Sequence, residues 1–521
     1  MRNSGVVAAF IAGAVILSAV LVQSVIAAPP VGTRLNILWR VKPGGDYMTT
    51  TASGERNAFP PADAVAYVPA NNVSSTSALY RLLRAGDHMD SLTAGEAGYS
   101  TEGILGYPFS TSTAVQGLGQ LYRYVNGVGD HALGRPDESG AFAAKGYTTV
   151  QPLNAWAYPR FNRTTDSMLA ISGGGVTLES NAVAGGALWH WTWNGNQFVN
   201  NRDYGRQIQA GLFWGPVSNR SAPTEAGDEF SDVNLNPEVR HGSPNSLLMN
   251  VGTIQKTRAI PLDWWPGAQG GGQDNPVIYS QMDIGKNLQV NFNNMGAVVR
   301  YDTRWYLPNT LTSADIPEIE IPTSYLRGFL NTYWTYNAAT DQLQSVTPPN
   351  CPGPTDPNQN VGFTTNYGGV IVSDAAGTRA MGVYGKNVAV GGSVSYYTLW
   401  DFRCNTSQTG EFDPAASKMS AVWSPAQGRT AAYRYTVTWL ASGTLTDVRQ
   451  KMRSLYLLEP MGTPPLNSVS AGKDKDKDGD GAERVGSDEP GVTSKSPGVK
   501  TRTWFGGPDQ TKFIRRPASA K

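Results

Sequence analysis

The chain has 521 residues, of which 16% are charged, and its formal net charge at pH 7 is +1. An average globular protein carries about 25% charged residues, and a nearly neutral chain offers no basic surface for nucleic acid. The 58 glycines, 14 tryptophans and 23 tyrosines favour short strands joined by turns. Together these values exclude nucleic acid as the expected partner and predict an all-β fold class in several domains.

The first 28 residues predict an export signal. Arg2 precedes the apolar run GVVAAFIAGAVILSAVLVQSVIAA, whose last small residues, Ala27 and Ala28, stand before two prolines. A basic residue, an apolar run and small residues at the cleavage site are typical of secretory signals. The run also approaches the ~20 residues that span a bilayer, so retention as a membrane anchor stays open. We therefore expect a secreted or surface-attached protein, in contact with a membrane only if this segment is retained.

Residues 35–161 contain a sequence unit that is repeated three times. Its copies read LWRVKPGGDYM, LYRLLRAGDHM and LYRYVNGVGDHAL. Each copy places an aspartate in a glycine-containing turn, and the separations are 41 and 43 residues: Asp46, Asp87 and Asp130. A fixed period of this length is typical of repeat architectures. Three copies predict a closed threefold unit such as a β-trefoil with four strands per copy, because three propeller blades are too few to close.

The order of short motifs supports this interpretation. The second copy carries LYRL, GDHM, GY and EGILGYPF in order, the third keeps LYRY, GDH and GY, and the first keeps LWR and GDYM. The module resembles a family of bacterial secreted repeat domains of unassigned function, whose units read L-Y-R-L, G-D-H-F-Y-T, G-Y and E-G. The resemblance implies a lectin-like trefoil and therefore glycan binding.

Five turn residues are the candidate carbohydrate ligands: Asp46, Asp87, His88, Asp130 and His131. A sugar site combines an apolar platform with a few placed polar groups. Each aspartate would accept hydrogen bonds from sugar hydroxyls beside an aromatic face, and each histidine would add a donor. Two structural roles remain open, because turn aspartates often bond their own backbone and because Tyr80 and Tyr122 suit a core.

Residues 164–460 predict a second, larger β module. Segments such as LQVNFNN, VSYYTLWDF and AAYRYTVTWLASG alternate apolar and polar residues between turn signals, which predicts antiparallel strands. Their number predicts two large packed sheets, and the closing pattern YRYTVTWLASGTLTDVRQKM resembles the last strand and helix of galactose-mutarotase-like supersandwich proteins. The helix is predicted to have Thr446 as its N-cap and one apolar face: Val448, Met452, Leu455 and Tyr456.

Residues that suit a saccharide site are most concentrated in the segment WHWTWNGNQFVNNRDYGRQIQ, residues 189–209. Its Asn-Gly pair predicts a hairpin turn, after which Gln207 and Gln209 share a strand face. In a lyase, Arg206 would neutralise a uronate, and a nearby tyrosine or histidine would abstract the proton. Asp203 would pair with Arg206 at the strand entrance. The candidate catalytic residues are His190, Asp203, Tyr204, Arg206 and His241.

A glycoside hydrolase would instead need two carboxylates facing one bond. Glu318 and Glu320 in EIEIP share a strand face and lie about 7 Å apart, given ~3.3 Å per residue, although this alternation is more typical of a solvated face. The sequence therefore predicts a bacterial protein that recognises an extracellular polysaccharide or glycan. The alternatives are a polysaccharide lyase or glycoside hydrolase that acts through the β-sandwich groove, and an envelope interaction protein that binds no glycan.

The two cysteines, Cys351 and Cys404, are expected to form a disulfide, because an even pair in an exported chain is most simply oxidised. Buried thiols are the alternative. Two cysteines and four scattered histidines give no metal-ligand spacing, and no cofactor is expected. The charged segment 462–521 has no apolar period and is predicted to be disordered. Its DKDKDGDG stretch begins like a calcium loop, but Val485 stands where that loop needs a carboxylate.

Overall fold

The computed structural model describes residues 32–115, 117–159, 167–200, 206–213, 221–228, 241–264, 266, 275–306, 318–348, 368–385, 394–401, 417–423, 429–430 and 433–458. These residues form mostly β-structure, in large antiparallel sheets with few helices. No helix among them is both long and apolar enough to cross a membrane. Three predictions lie outside the described residues and stay predictions: the signal 1–28, the disordered tail 462–521 and the Cys351–Cys404 disulfide.

Nine strands form the repeat module. They are β1 (Thr33–Val41), β2 (Met48–Thr50), β3 (Asp63–Pro69), β4 (Leu79–Arg84), β5 (Asp87–Ser91), β6 (Ser100–Gly106), β7 (Gly119–Asn126), β8 (His131–Gly134) and β9 (Tyr147–Ala157). Two short helices accompany them: α1 (Ser53–Ala58) and α2 (Ser139–Ala143).

The three copies repeat one strand arrangement. In each copy the first strand lies between the other two, which gives the orders β2-β1-β3, β5-β4-β6 and β8-β7-β9. The hairpin strands β2, β5 and β8 also contact one another. The described residues thus hold three strands per copy where four were predicted, and a trefoil arrangement is not shown.

The larger module contains the remaining strands and one helix. They are β10 (Met168–Gly173), β11 (Val176–Asn181), β12 (Ala187–Trp193), β13 (Asn196–Gln197), β14 (Ile208–Phe213), β15 (Pro223–Thr224), β16 (Asn245–Val251), β17 (Ile254–Ala259), β18 (Leu262–Asp263), β19 (Val277–Ile278), β20 (Asp283–Gln289), β21 (Val298–Tyr306), β22 (Glu318–Leu326), β23 (Thr332–Asn337), β24 (Gln342–Val346), β25 (Gly368–Ser373), β26 (Ala380–Gly385), β27 (Val394–Asp401), β28 (Ser417–Trp423), β29 (Arg429–Thr430), β30 (Tyr433–Gly443) and α3 (Leu445–Leu458).

Two large sheets pack face to face in this module. The first contains β10, β11, β12, β14, β22, β28 and β27 in hydrogen-bonded succession, and the second has the order β16-β17-β20-β21-β30-β26-β25-β23-β24. Their facing side chains form the main core, in which Trp191, Leu212 and Trp423 of the first sheet lie with Tyr301 and Val383 of the second. Each sheet therefore has one inner face and one outer face.

Helix α3 covers the outer face of the second sheet. The predicted apolar positions Val448, Met452 and Leu455 are buried against residues of β25, β26 and β30. The predicted cap is wrong by two residues, because the hydroxyl of Thr444, not Thr446, accepts from the backbone N–H of Asp447, whose carboxylate accepts from the backbone N–H of Thr444. This reciprocal pair is a capping box.

The two modules are joined by one strand pairing and by a common apolar cluster. Strand β1 pairs with β2 and β3 and also, at Thr33, with Ile278 of β19. One apolar cluster contains Trp39 and Tyr67 from the repeat module together with Leu262 and Ile278 from the larger one. The boundary between the modules is therefore a packed junction in which both contribute apolar surface.

Candidate functional site

The three turn aspartates lie together. One carboxylate oxygen from each of Asp46, Asp87 and Asp130 lies within 4.8 Å of the other two. The three hairpins place them there, because each aspartate stands at or just before β2, β5 or β8, the strands that meet between the copies. Within the described residues, the Oδ1 atom of each carboxylate is buried and has no hydrogen-bond partner. The candidate carbohydrate residues therefore form one cluster, not three separate turns.

The two histidines join each copy to the one before it. His88 of the second copy contacts Asp46 of the first through both its backbone N–H and its Nδ1, which lies 2.6 Å from Oδ2. In the third copy, His131 Nδ1 lies 3.4 Å from Oδ2 of Asp87 in the second copy, a charge contact at the equivalent position. We call Asp46, Asp87, Asp130, His88 and His131 the axis cluster, because its contacts repeat from copy to copy.

Tyrosine hydroxyls donate hydrogen bonds to the turn aspartates of two of the three copies. Tyr99 donates to Asp87, and Tyr147 donates to Asp130. Both tyrosines belong to the GY motif, which the first copy lacks. Burial, reinforced by Asp87, raises the pKa of Tyr99 to about 12, so this hydroxyl stays protonated and remains a donor.

A second set of charged residues also links the three copies to one another. The arginine that follows the aromatic residue in each first strand binds a glutamate of the preceding copy, and the first copy binds the third. The pairs and their nitrogen–oxygen distances are Arg81–Glu55 (2.7 Å), Arg123–Glu96 (3.0 Å) and Arg40–Glu138 (2.8 Å). The three contacts therefore run in one cyclic direction through the three copies.

The glutamates were missed from the sequence although they carry a signal. Each arginine is followed fifteen residues later by the glutamate of its own copy: Glu55, Glu96 and Glu138. In the structure each arginine pairs with the glutamate of a neighbouring copy and not with the one that follows it in its own copy. We call the three arginine–glutamate pairs the ring. The constant spacing of its charged residues, not the aromatic motifs, identifies it in the sequence.

Ionisation in the axis cluster follows from burial and neighbouring charge. Burial raises the pKa of Asp130 to about 6, and Asp46 and Asp87 add to this effect. The hydrogen bond to Asp46 raises the pKa of His88, whereas burial lowers the pKa of His131. Three carboxylates this close can share a proton or hold a cation between them. Their contacts are protein side chains, and no saccharide role follows from this geometry.

The two candidate catalytic histidines have separate partners. His190 contacts Glu179, its cross-strand neighbour on β11. His241 is fully buried, with Nδ1 3.1 Å from Asp228 and its ring against Tyr67 of the repeat module. Arg206 lies just before β14 and is partly exposed. Asp203 and Tyr204 lie outside the described residues. Each histidine thus contacts a different carboxylate.

The outer face of the first sheet gathers polar and aromatic side chains from four strands. Ile208, Ala210 and Leu212 of β14 point into the core, so Gln207 and Gln209 point to the opposite face of the sheet, as predicted for a shared face, and both are buried there. Gln209 pairs with Thr323, which pairs with Ser420, which pairs with Thr398. A parallel row contains Tyr325, Lys418 and Trp400. The outer face is defined by these residues and Glu320: Gln207, Gln209, Glu320, Thr323, Tyr325, Thr398, Trp400, Lys418 and Ser420.

An ion pair lies at the centre of the outer face. Lys418 Nζ lies 3.1 and 2.8 Å from the two carboxylate oxygens of Glu320, and the Ser420 hydroxyl lies 3.4 Å from the same carboxylate. Nζ is also 5.1 Å from the ring centre of Trp400 and 5.3 Å from that of Tyr325. Glu320 is only 3% exposed, so the solvated face expected for EIEIP is wrong at this position, because β28 supplies a counter-ion.

No family model matches the chain, and no curated protein matches it. Its structural neighbours include a putative aldose 1-epimerase from Klebsiella pneumoniae, 10% identical with a TM-score of 0.29, over 59% of this chain and 88% of that one. A galactose mutarotase-like protein from Clostridium acetobutylicum is 7% identical with a TM-score of 0.25, over 54% and 98%. A heparan sulfate lyase from Pedobacter heparinus is 8% identical with a TM-score of 0.22, over 59% and 39%. Likenesses at these TM-scores carry no argument about fold or function.

Proposed function

We propose that this protein recognises an extracellular carbohydrate, and that its binding site includes Trp400 of β27, the partly exposed tryptophan of the outer face. The observation that carries the proposal is the partial exposure of Trp400 next to the buried polar groups of Lys418 and Ser420 on the neighbouring strand β28. Saccharide sites need this combination of an aromatic surface and hydrogen-bonding groups at fixed positions.

The rigidity of the outer face supports the proposal. Its polar groups lie on paired strands of a large sheet, with Thr323 and Ser420 hydroxyls 3.2 Å apart. Groups held in this way lose little conformational entropy when a ligand binds. Export by residues 1–28 would bring the site to extracellular glycans, and this localisation is part of the proposal.

The axis cluster supports a carbohydrate site less well. Its aspartates accept from the hydroxyls of Tyr99 and Tyr147 and from His88, and the separate set of glutamates in this module is paired with arginines of neighbouring copies. We propose that the repeat module is a closed threefold, trefoil-like unit whose axis cluster holds the copies together.

Retention on a panel of immobilised polysaccharides tests the binding site. We expect the full chain to be retained by at least one polysaccharide, and Trp400→Ala to weaken its retention by at least tenfold. Trp334→Ala is the matched control, because Trp334 is a partly buried tryptophan of the second sheet. A double variant, Asp87→Ala with Asp130→Ala, tests the axis cluster.

Each outcome has a defined meaning. If no polysaccharide retains the folded chain, the proposed function is wrong. If the aspartate double variant keeps a native melting profile and loses retention while Trp400→Ala does not, the site is the axis cluster. New reducing ends or unsaturated uronates after incubation would identify a hydrolase or a lyase instead of a binder.

A further inference from the structure

We infer that the side chains of Lys286 and Glu225 condense to an amide, an isopeptide bond that joins the two large sheets through the core. The inference goes beyond the proposed function and does not depend on it. It starts from the position of the lysine. Lys286 lies in β20 between Ile284 and Leu288, which both belong to the main core. Because strand side chains alternate, Lys286 points into the same core.

The lysine meets a carboxylate that is fixed to the first sheet. Glu225 follows β15, and its backbone N–H donates to the carbonyl of Ala210 in β14. Lys286 Nζ lies 2.5 Å from Oε1 of Glu225, and the two side chains are 0% and 1% exposed. A nitrogen in hydrogen-bond contact with a carboxylate oxygen lies about 3–3.5 Å from the carboxylate carbon, which is the separation of atoms poised to react.

Neighbouring groups hold both partners in place. Lys286 Nζ also donates to the carbonyl of Gly186 at 2.8 Å. Gly186 has a φ of +91°, and a Cβ atom there would lie 2.7 Å from the Thr257 side chain, so glycine permits this close approach. The backbone N–H of Ala210 lies 3.2 Å from Oε2 of Glu225, and the Thr257 hydroxyl lies 3.5 Å from Oε1. Donors in such positions stabilise the negative charge that develops during acyl transfer.

Burial favours the product over the ion pair. Burial lowers the pKa of Lys286, against the opposing effect of Glu225, and the neutral amine is the nucleophilic form of lysine. Two charges taken out of water are costly to keep even when they are paired. Condensation removes both charges, so the environment that disfavours the ion pair favours the amide.

The reaction balances without any other reactant. A proton passes from the ammonium group to the carboxylate, which gives an amine and a carboxylic acid. The amine attacks Cδ of Glu225, and the negative charge on Oε2 of the tetrahedral intermediate faces the N–H of Ala210. A second proton moves from Nζ to Oε1, the bond between Cδ and Oε1 breaks, and this oxygen leaves as water. Fixed reactants reach effective concentrations of about 10⁵–10⁸ M, which offsets the tendency of water to hydrolyse an amide.

Mass spectrometry of the purified full chain tests the inference. We expect most wild-type molecules to be about 18 Da lighter than the mass calculated from their sequence and observed N-terminus, because one water is lost. Trypsin does not cleave after an acylated lysine. The segments 221–240 and 259–300, which lie between tryptic sites, should therefore be recovered as one branched peptide with Lys286 uncleaved.

Two variants serve as controls. Lys286→Arg keeps a cation at the site, but a guanidinium group does not give up its proton to become a nucleophile. This variant should have its full calculated mass. Lys451→Arg is the matched control, because Lys451 is another partly buried lysine, whose Nζ donates to the carbonyl of Ser442 at 2.7 Å. It should keep both the loss of mass and the branched peptide.

Each outcome decides the question. If most wild-type molecules have the full mass and trypsin cleaves after Lys286, the two residues form only an ion pair and the inference is wrong. This result needs no variant, so it does not depend on whether Lys286→Arg folds. A loss of mass that persists in Lys286→Arg, or that occurs without the branched peptide, would place the lost water elsewhere and also overturn the inference. A loss confined to chains with Lys286, together with the branched peptide, supports it.

Discussion

The arginine–glutamate ring of the repeat module and the outer face both bring opposite charges together, but they do so by different routes. In the repeat module each copy supplies one arginine and one glutamate, and the pairs form between neighbouring copies. On the outer face, Lys418 and Glu320 come from strands separated by 98 residues of chain. In a repeat, every copy contributes the same groups at the same spacing, so the residues that contact one another between copies can be identified from the sequence. In a sheet assembled from distant segments, no such spacing identifies the contacting residues.

The comparison also distinguishes polar groups that stabilise the fold from polar groups that we propose lie at a ligand-binding site. The ring of arginines and glutamates is cyclic and internally matched, which is what a closed assembly of three copies requires. The outer face mixes aromatic, hydroxyl and amide groups around one ion pair and has no internal repeat. We therefore expect changes in the ring to lower stability and a change at Trp400 to alter ligand binding.

The largest expected effect is on the ring. Arg40→Ala should lower the free energy of unfolding by about 3 kcal/mol, because Glu138 would lose its counter-ion in a partly buried site. The same change removes the hydrogen bond from Arg40 to the backbone carbonyl of Leu133. Denaturant unfolding of the full chain measures the difference.

Arg84→Ala provides the control for this change. Arg84 is an exposed arginine at the end of β4 that packs over the ring of Tyr99 and belongs to no pair of the ring. Its replacement should cost less than about 1 kcal/mol, as for an exposed cation–π contact. Equal losses for the two variants would mean that the ring does not couple the copies.

A smaller effect is expected for the tyrosine hydroxyls. Tyr99→Phe should cost about 1.5 kcal/mol, because Asp87 would lose a hydrogen bond in a buried setting. Tyr122→Phe is the matched control, since the Tyr122 hydroxyl donates to the neutral amide of Gln120 at 3.3 Å. Thermal unfolding compares the two, and a greater loss for Tyr122→Phe would contradict the role assigned to Asp87.

The smallest effect is a pH dependence of the axis cluster. The folded chain binds the Asp130 proton more tightly than the unfolded chain does, because burial raises the pKa of Asp130 from 3.8 to about 6. Stability from this group should therefore increase as the pH falls from 7 through 6, and the increase should be complete near pH 4. Partial exposure limits it to the order of 1 kcal/mol.

Other acids in the module have the opposite dependence. The ring arginines lower the pKa of their glutamates from 4.5, so the stability that the ring contributes is lost as the pH falls below that value. The Asp130→Asn variant isolates the Asp130 contribution. The difference in melting temperature between wild type and variant should grow in favour of the wild type from pH 7.5 to pH 5. A constant difference would show that Asp130 keeps an ordinary pKa.

Several local features were predictable because local rules decide them. The Asn-Gly pair of WNGN forms the expected turn between β12 and β13, with positive φ at Asn194 and Gly195. The apolar face of α3 follows from residue spacing, and Gln207 and Gln209 share a face because strands alternate. The N-cap of α3 was misplaced by two residues, since Thr444 and Thr446 are equally good caps in sequence and only backbone geometry distinguishes them.

The sequence by itself determined the repeat, its period, the β-rich class and the paired polar positions of β14. The tertiary structure alone decided which copy's glutamate each arginine binds, that Asp46, Asp87 and Asp130 meet at one point, and that Glu320 is buried against Lys418. The physical reason is the range of the interactions. Turn geometry and strand alternation act within a few residues, whereas the partner of a buried charge depends on which distant strand is placed beside it.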